Sequence, residues 1–272
     1  MQAISSKSFI AETSRIGLLF LFFFVSCAAL VAVEQKKEEK KKPEPPVIAM
    51  VIPLGITPEL TNIIRIRGQN LSNVTELRFT ETNCRAEIII KSKAKVEVPK
   101  DTDPRKAGDT QLELELKLAG GAPLGTNMFI LLSPDGESSP HPLLVLQPGS
   151  LANEKEPNGG FREAERIEFD QRVQGAVHEP RDVDVFRFSG KTGQRVVAEV
   201  FAARFGSLLD SVLTLYDQHG HIVAANDDSD ASADSLLRVK LASDGDYFLS
   251  LIDAHDRGSP AHVYQLLLRL EE

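Results

Sequence analysis

The chain has 272 residues, which suits two ordinary domains better than one, and its 42% hydrophobic and 26% charged content predicts globular packing rather than disorder. The formal net charge of -8 argues against a nucleic-acid partner, which would need a basic stripe. One of the two cysteines, Cys27, lies in an N-terminal apolar segment. The mature chain is therefore expected to hold one free thiol, Cys84, and no internal disulfide.

The N-terminal segment is typical of an export signal. Positive charge at Lys7 and Arg15 precedes the apolar run IGLLFLFFFVSCAALVAV, 16–33. We predict a signal peptide over 1–33 that is cleaved, and no membrane span after cleavage. Two alternatives stay open. A run of this length nearly spans a bilayer as a retained anchor, and FVSC resembles a bacterial lipobox, which would put a lipid anchor on Cys27.

Residues 34–46, EQKKEEKKKPEPP, are predicted to form a charged, extended linker, because they lack apolar residues and end in prolines. From 47 to 147 the patterns indicate strands. IIRIRG, 63–68, alternates Ile and Arg, and QLELELKL, 111–118, alternates Leu with polar residues. That period of two predicts strands with one buried face, in an antiparallel sandwich.

This first region resembles the immunoglobulin-like IPT/TIG modules of secreted and surface proteins. The matching stretches are PVIAMVIPLG, IRIRGQNLSNVTELRF and APLGTNMFILLSPDGES. In that family a GxNL turn follows the first long strand, and here it reads from Gly68 to Leu71. We expect a positive φ at Gly68, because other residues avoid it.

Residues 148–152 are predicted to connect the domains, and a second β region follows over 153–270. Turn residues separate about eight short candidate strands, which predicts a sandwich or jelly roll. These strands are RVQGAV, VDVFRFSG, QRVVAEVFA, VLTLYD, HIVAAN, LLRVKL, DYFLSLID and VYQLLLRL. FREAERI, 161–167, is predicted to be a short helix before the first of them.

This second region resembles the bacterial pre-peptidase C-terminal (PPC) domain. The resemblance runs from NEKEPNGGFREAERI through VQGAVHEPRDVDVFRFSG and the NDD turn to VYQLLL. It implies a jelly-roll-like, non-catalytic β-sandwich that accompanies secreted peptidases and other extracellular proteins. The fold expected for the whole chain is therefore all-β, with two β-sandwich domains after a signal peptide.

The resemblance also implies a structural calcium site, with five ligand candidates carried over by position: Glu154, Glu156, Asn158, Asp182 and Asp184. Calcium takes six to eight oxygen ligands, and alternate residues of an extended segment point the same way. Calcium-binding members often carry Asp where Gly159 stands, so one ligand is missing here. The alternative is that Glu154 and Glu156 are solvated linker residues and that Asp184 bonds a turn.

A second acidic stretch, NDDSDASAD, spans 226–234. An EF-hand loop requires Gly at its sixth position and Glu at its twelfth, and this stretch does not have that spacing. We favour a turn in which Asn and Asp side chains bond nearby backbone over a second cation loop formed by Asp227, Asp228, Asp230 and Asp234.

No enzyme is predicted. His219 and His221 form the only tight histidine pair, without the further ligands that zinc requires, and the GxSxG and phosphate-loop motifs are absent. We expect an exported binding or adhesion module for an extracellular protein or polysaccharide, located outside the cell, in the periplasm or in the cell envelope. The alternatives are an accessory subunit of an extracellular peptidase or other hydrolase, and a structural cell-envelope component.

Overall fold

A computed structural model describes residues 44–100, 102–230 and 232–271. The predicted signal peptide, the lipidation site at Cys27 and residues 34–43 of the predicted linker lie outside the described residues. Within the described ranges, no helix has the length and apolar character needed to cross a membrane.

The chain is an all-β protein built of two sandwiches, as predicted. The first has the strands β1 (Val47–Ile52), β2 (Gly55–Ile56), β3 (Asn62–Gln69), β4 (Glu76–Phe79), β5 (Ala86–Lys95), β6 (Thr110–Leu118), β7 (Gly125–Ser133), β8 (Gly136–Glu137) and β9 (His141–Val145). One sheet has the order β1-β3-β6-β5 and the other β2-β9-β7-β4, with β8 paired to β7. A four-residue helix, α1 (Pro104–Ala107), precedes β6 and is capped by Asp103.

The predicted period of two is confirmed in β6. Its four leucines, at 112, 114, 116 and 118, are buried, while the residues between them are exposed or half-buried. Their partners across the sandwich include Phe129 and Leu131 of β7. The burial of one face of each sheet therefore creates a single core between the two layers.

The predicted positive φ at Gly68 is wrong. The left-handed residue of this turn is Asn70, with φ of 60°. Gly68 is needed for a different reason, because a Cβ atom there would lie 1.9 Å from the carbonyl oxygen of Val47 on the neighbouring strand. The glycine therefore allows close approach of two backbones.

The second sandwich has ten strands, and all eight predicted ones are among them. They are β10 (Leu151–Asn153), β11 (Glu165–Arg166), β12 (Gln171–Ala176), β13 (Asp184–Gly190), β14 (Arg195–Phe201), β15 (Ser211–Tyr216), β16 (Ile222–Asn226), β17 (Leu236–Lys240), β18 (Gly245–Asp253) and β19 (Val263–Leu270). One sheet has the order β10-β12-β19-β14-β17, and the other β11-β13-β18-β15-β16. The buried rings of Phe186 and Tyr264, from opposite sheets, meet edge to face in the core.

Two short segments before β12 differ from their predicted roles. The helix predicted over 161–167 is wrong, because Glu165 and Arg166 form β11 and pair in parallel with β13. Ile167 is buried in the core, which anchors this segment as an edge strand. Residues 151–153, at the end of the predicted connection, form β10 beside β12.

The two sandwiches pack directly against each other through a small apolar cluster. Leu54, Leu144 and Leu146 of the first sandwich contact Ala176, Phe205 and Val263 of the second. Gly206 has φ of 84°, and a Cβ atom there would lie 2.1 Å from the carbonyl oxygen of Ala49. This contact between the sandwiches includes Ala176 at the end of β12, whose N–H donates to Glu154, one of the acidic residues described next.

Candidate metal centre

The segment that begins the second sandwich is fixed to two of its strands. The backbone N–H of Glu154 donates to the carbonyl of Gln174 in β12 at 2.9 Å, and the N–H of Val185 in β13 donates to the carbonyl of Asn158 at 3.0 Å. Residues 154–158 are thus held between strands of the two sheets. The loop that leads into β13 carries the other predicted ligands.

Three of the five predicted ligands come together. Carboxylate oxygens of Glu156, Asp182 and Asp184 lie within 4.8 Å of one another. Their burial increases inward, since Glu156 is exposed, Asp182 half-buried and Asp184 fully buried. Glu156 is therefore the member of the cluster that faces solvent.

Asp184 is the most unusual residue of the cluster. Its exposure is 0%, and neither of its carboxylate oxygens has a hydrogen-bond partner among the described residues. Burial, followed by the charge of Glu154, raises the pKa of Asp184 to about 8, against the opposing effect of the nearby Tyr264 hydroxyl, which donates its hydrogen bond to Glu154. A buried carboxylate without donors costs several kcal/mol in its charged form, so this position favours either a proton or a bound cation.

Asn158 is joined to the strand that carries Asp184, because its backbone carbonyl accepts from the N–H of Val185. Its side chain is 0% exposed, and both its amide oxygen and its amide nitrogen lack partners among the described residues. Buried polar groups are nearly always hydrogen-bonded, so each exception requires an explanation. An ion or an ordered water beside Asn158 and Asp184 would supply one.

The other two carboxylates of the cluster are oriented by backbone groups. Asp182 accepts from the N–H of His178 at 2.7 Å and from its neighbour Val183 at 3.0 Å. Glu156 accepts from the N–H of Asn158 at 3.0 Å. Since each carboxylate oxygen has more than one lone pair, these bonds leave acceptor capacity for a cation.

Glu154 lies to one side of this cluster. Its Oε2 accepts from the hydroxyl of Tyr264 at 2.5 Å, and its Oε1 accepts from the N–H of Ala176 at 2.8 Å. Burial raises its pKa, against the effect of those two hydrogen bonds. A Cβ atom on Gly175 would lie 2.1 Å from Oε2, so the glycine makes room for this carboxylate.

His178, Tyr264 and Gly175 also belong to this site, and no motif in the sequence indicated them. Tyr264 is 110 residues from Glu154, and no local pattern brings β19 to the start of the domain. His178 gives a weak signal in the sequence, since it comes four residues before Asp182. Its side chain is about half exposed and lies beside both glutamates.

The residues present offer the kind of ligand atoms that a calcium ion takes. Carboxylate and amide oxygens from Glu156, Asn158, Asp182 and Asp184 form an all-oxygen donor set, which calcium prefers. Gly159 adds no side chain, and a Cβ atom there would meet only the Val183 carbonyl at 3.6 Å. The absence of a side chain at Gly159 thus leaves space that a water molecule can fill.

The second acidic stretch is organised by a buried carboxylate. Asp234 is 0% exposed and accepts from the N–H groups of Ala202 and Ala203 at 3.1 and 2.6 Å. It also pairs with Nε of Arg204 at 2.5 Å. Both carboxylate oxygens of Asp234 therefore face protein donors, but these lie in the segment 202–204 rather than in the nearby backbone of the predicted turn.

Known proteins resemble the second sandwich in sequence. Residues 182–252 match the family model of the bacterial pre-peptidase C-terminal domain. A probable subtilase-type serine protease of Deinococcus radiodurans is 41% identical over 132 residues, which cover 42% of this chain and 18% of the relative. The fold and the sequence thus define an all-β chain whose second sandwich is similar to this family over residues 182–252. The chain contains a PPC domain.

Two solved structures are similar to this chain at low sequence identity. The pre-peptidase C-terminal domain of a Bacillus anthracis collagenase is 15% identical, with a TM-score of 0.32, and the match covers 43% of this chain and all of that domain. The SGBP-B protein of Bacteroides ovatus, solved with a mixed-linkage heptasaccharide, is 10% identical, with a TM-score of 0.29, over 82% of this chain and 75% of its own.

Proposed function

We propose that this chain is an exported, non-enzymatic binding module whose PPC domain holds a structural calcium ion. Asp184 carries this proposal, because it is fully buried, has no hydrogen-bond partner among the described residues and lies within reach of Glu156 and Asp182. Calcium would neutralise these carboxylates and use the free amide oxygen of Asn158. PPC domains accompany other activities rather than supply catalysis themselves, which supports the non-enzymatic role.

The proposed role of calcium is to fix the beginning of the PPC domain. Residues 154–158 follow β10 directly and lie near the apolar contact between the sandwiches. An ion bound only by the folded state stabilises that state in proportion to the logarithm of its concentration. Calcium would therefore stabilise the position of the second sandwich relative to the first and present their shared surface to an extracellular protein or polysaccharide.

A second candidate is an accessory subunit of an extracellular peptidase. The observation that favours it is the 41% identity to a probable subtilase-type protease, although the chain spans only 18% of that relative. In this case a separate polypeptide would supply the catalytic centre. Recovery of a stable complex with a hydrolase from native secretions would support this candidate, and recovery of the chain alone would count against it.

Scanning calorimetry of the purified protein tests the calcium site. We expect millimolar calcium to raise the melting temperature over that in EDTA, and Asp184→Asn to remove the increase. Asp228→Asn is the matched control, because Asp228 is an exposed residue of the other acidic stretch. An identical melting temperature with calcium and with EDTA would contradict the proposal.

A further inference from the structure

The strand β16 forms an open edge of the second sandwich. It pairs with β15 on one side and is the last strand of its sheet. Two of its residues are exposed hydrophobics, Ile222 at 67% and Val223 at 39%. An edge strand presents a row of backbone N–H and C=O groups that can pair with another strand. β16 therefore combines the backbone groups and the apolar side chains of a pairing surface.

The other sheet edges of the described chain are less suited to such pairing. β4, β5 and β17 carry charged residues, and β2, β8, β10 and β11 have only two or three residues each. The edge of β1 is covered by the second sandwich, where Gly206 approaches the carbonyl oxygen of Ala49. Charge, short length and cover are common ways of protecting a sheet edge. Within the described residues, β16 (IVAAN) has neither charge nor cover, and it is five residues long.

The turns at the two ends of β16 carry complementary side chains. The exposed His221 precedes the strand, and the exposed Asp227 and Asp228 follow it. In an antiparallel pair of identical strands, the beginning of each strand lies beside the end of the other. A pair centred on Ala224 would thus place His221 of each copy opposite Asp227 of the other. A parallel pair would instead bring like charges together, which is unfavourable.

His221 is oriented for a contact with a second chain. Its Nδ1 lies 3.1 Å from Oδ2 of Asp217 in its own turn, while its side chain is 76% exposed. A protonated imidazole donates from both nitrogens. His221 can therefore bind Asp217 through Nδ1 and an aspartate of another copy through Nε2.

We propose that two copies of this chain form a symmetric dimer, in which β16 of each copy pairs antiparallel with β16 of the other and His221 meets Asp227. The two five-stranded sheets then become one continuous sheet of ten strands. Such a dimer is isologous, because the same patch serves both copies. Two strands, β18 and β15, separate β16 from β13, which carries Asp184. The dimer therefore does not depend on the proposed calcium site.

Analytical ultracentrifugation of the purified protein in EDTA tests the dimer. The measurement covers the low to high micromolar range at about pH 6, where free histidine is largely protonated. A contact between two short strands is small beside the roughly 1,600 Å² of a standard interface. We therefore expect a dimer that forms in the micromolar range. A protein that stays monomeric over the whole range would overturn the proposal.

Exchange of the two charges tests the antiparallel register. His221→Asp places two acidic groups opposite each other, and Asp227→Lys places a lysine opposite a histidine. Each contact occurs twice in the symmetric dimer, so each change should raise the dissociation constant by about tenfold. In the double variant His221→Asp/Asp227→Lys, opposite charges face each other again and the dimer should recover. A double variant that dimerises no better than the single variants would contradict this register.

A lysine in the middle of the edge tests the strand pairing itself. Val223→Lys should abolish the dimer, because a charged side chain on an edge strand opposes pairing. Ile63→Lys is the matched control, since Ile63 is 57% exposed but belongs to β3, which lies between β1 and β6. This control should dimerise as the unaltered protein does. A dimer that persists in Val223→Lys, or that is lost in Ile63→Lys, would overturn the proposal.

Discussion

The buried hydroxyl of Tyr264, in the last strand, donates a hydrogen bond of 2.5 Å to Oε2 of Glu154, in the segment that begins the same domain. Tyr264 is 0% exposed, so the bond lies away from solvent. It joins the first and last segments of the second sandwich at the place where the candidate metal ligands gather. The first prediction concerns this contact.

Tyr264→Phe should lower the free energy of unfolding by about 1–3 kcal/mol, because it leaves a buried oxygen of Glu154 without its donor. It should also reduce the stabilisation by calcium, since the charge of Glu154 acts on Asp184. Tyr247→Phe is the matched control, because it removes a hydrogen bond to Ser243 on another side of the core. Urea denaturation with and without calcium measures both effects, and an equal response to calcium in the two variants would contradict the prediction.

Gly175→Ala should displace the carboxylate of Glu154. The new Cβ atom would lie 2.1 Å from Oε2, and the carboxylate is too deeply buried to move freely. We expect a loss of about 1–3 kcal/mol in unfolding free energy, as for other overpacked sites. Gly159→Ala has room, with its nearest contact at 3.6 Å, and should be neutral or slightly stabilising. Equal melting temperatures for the two variants would refute this account of Gly175.

Asp234→Asn should destabilise the second sandwich, whereas Asp228→Asn should not. Asp234 is fully buried and pairs with Arg204, whose side chain is 31% exposed. Breaking a buried pair costs about 3–5 kcal/mol, and the exposure of Arg204 favours the lower end of that range. Chemical denaturation in EDTA measures the loss without any contribution from calcium. A loss that appears only in the presence of calcium would instead indicate a cation loop.

The stability of the protein should fall as the pH drops from about 6.5 to about 4, in part because of His141. Burial lowers its pKa from 6.5 to about 4. The unfolded chain therefore takes up the proton first, so the stabilisation is complete above pH 6.5 and is lost as the pH falls through that window. The contribution is at most about 3 kcal/mol.

Denaturation in EDTA across this pH range checks the contribution of His141. His141→Gln should flatten the pH dependence, while His219→Gln, at an exposed histidine, should leave it unchanged. The difference between the two variants removes the background from carboxylates that titrate in the same range. If stability depends on pH equally in both variants, His141 does not contribute to the loss of stability at low pH.

Much of the fold was predictable because burial on one face of a strand leaves a period of two in the sequence. Leu112 and Leu114 show this in the first sandwich, and all eight strands predicted in the second were found. The short segment around Glu165 was predicted to be helical, since its composition favours a helix. Pairing with β13 and burial of Ile167 overrode that local preference.

The candidate site was only partly predictable. The motif placed Glu156, Asp182 and Asp184, and the structure brings their carboxylates together. No local pattern could indicate that Tyr264 would hold Glu154, because the topology alone makes neighbours of strands far apart in the chain. The half-exposed His178 was also missed, since one histidine in a turn carries no periodic signal.

The most direct test of the calcium site is equilibrium dialysis of the purified, metal-free protein against radioactive calcium. The account predicts calcium bound in excess of the free ion, loss of that binding in Asp184→Asn and full retention in Asp228→Asn. Binding that is absent at millimolar calcium, or that persists unchanged in Asp184→Asn, would contradict it.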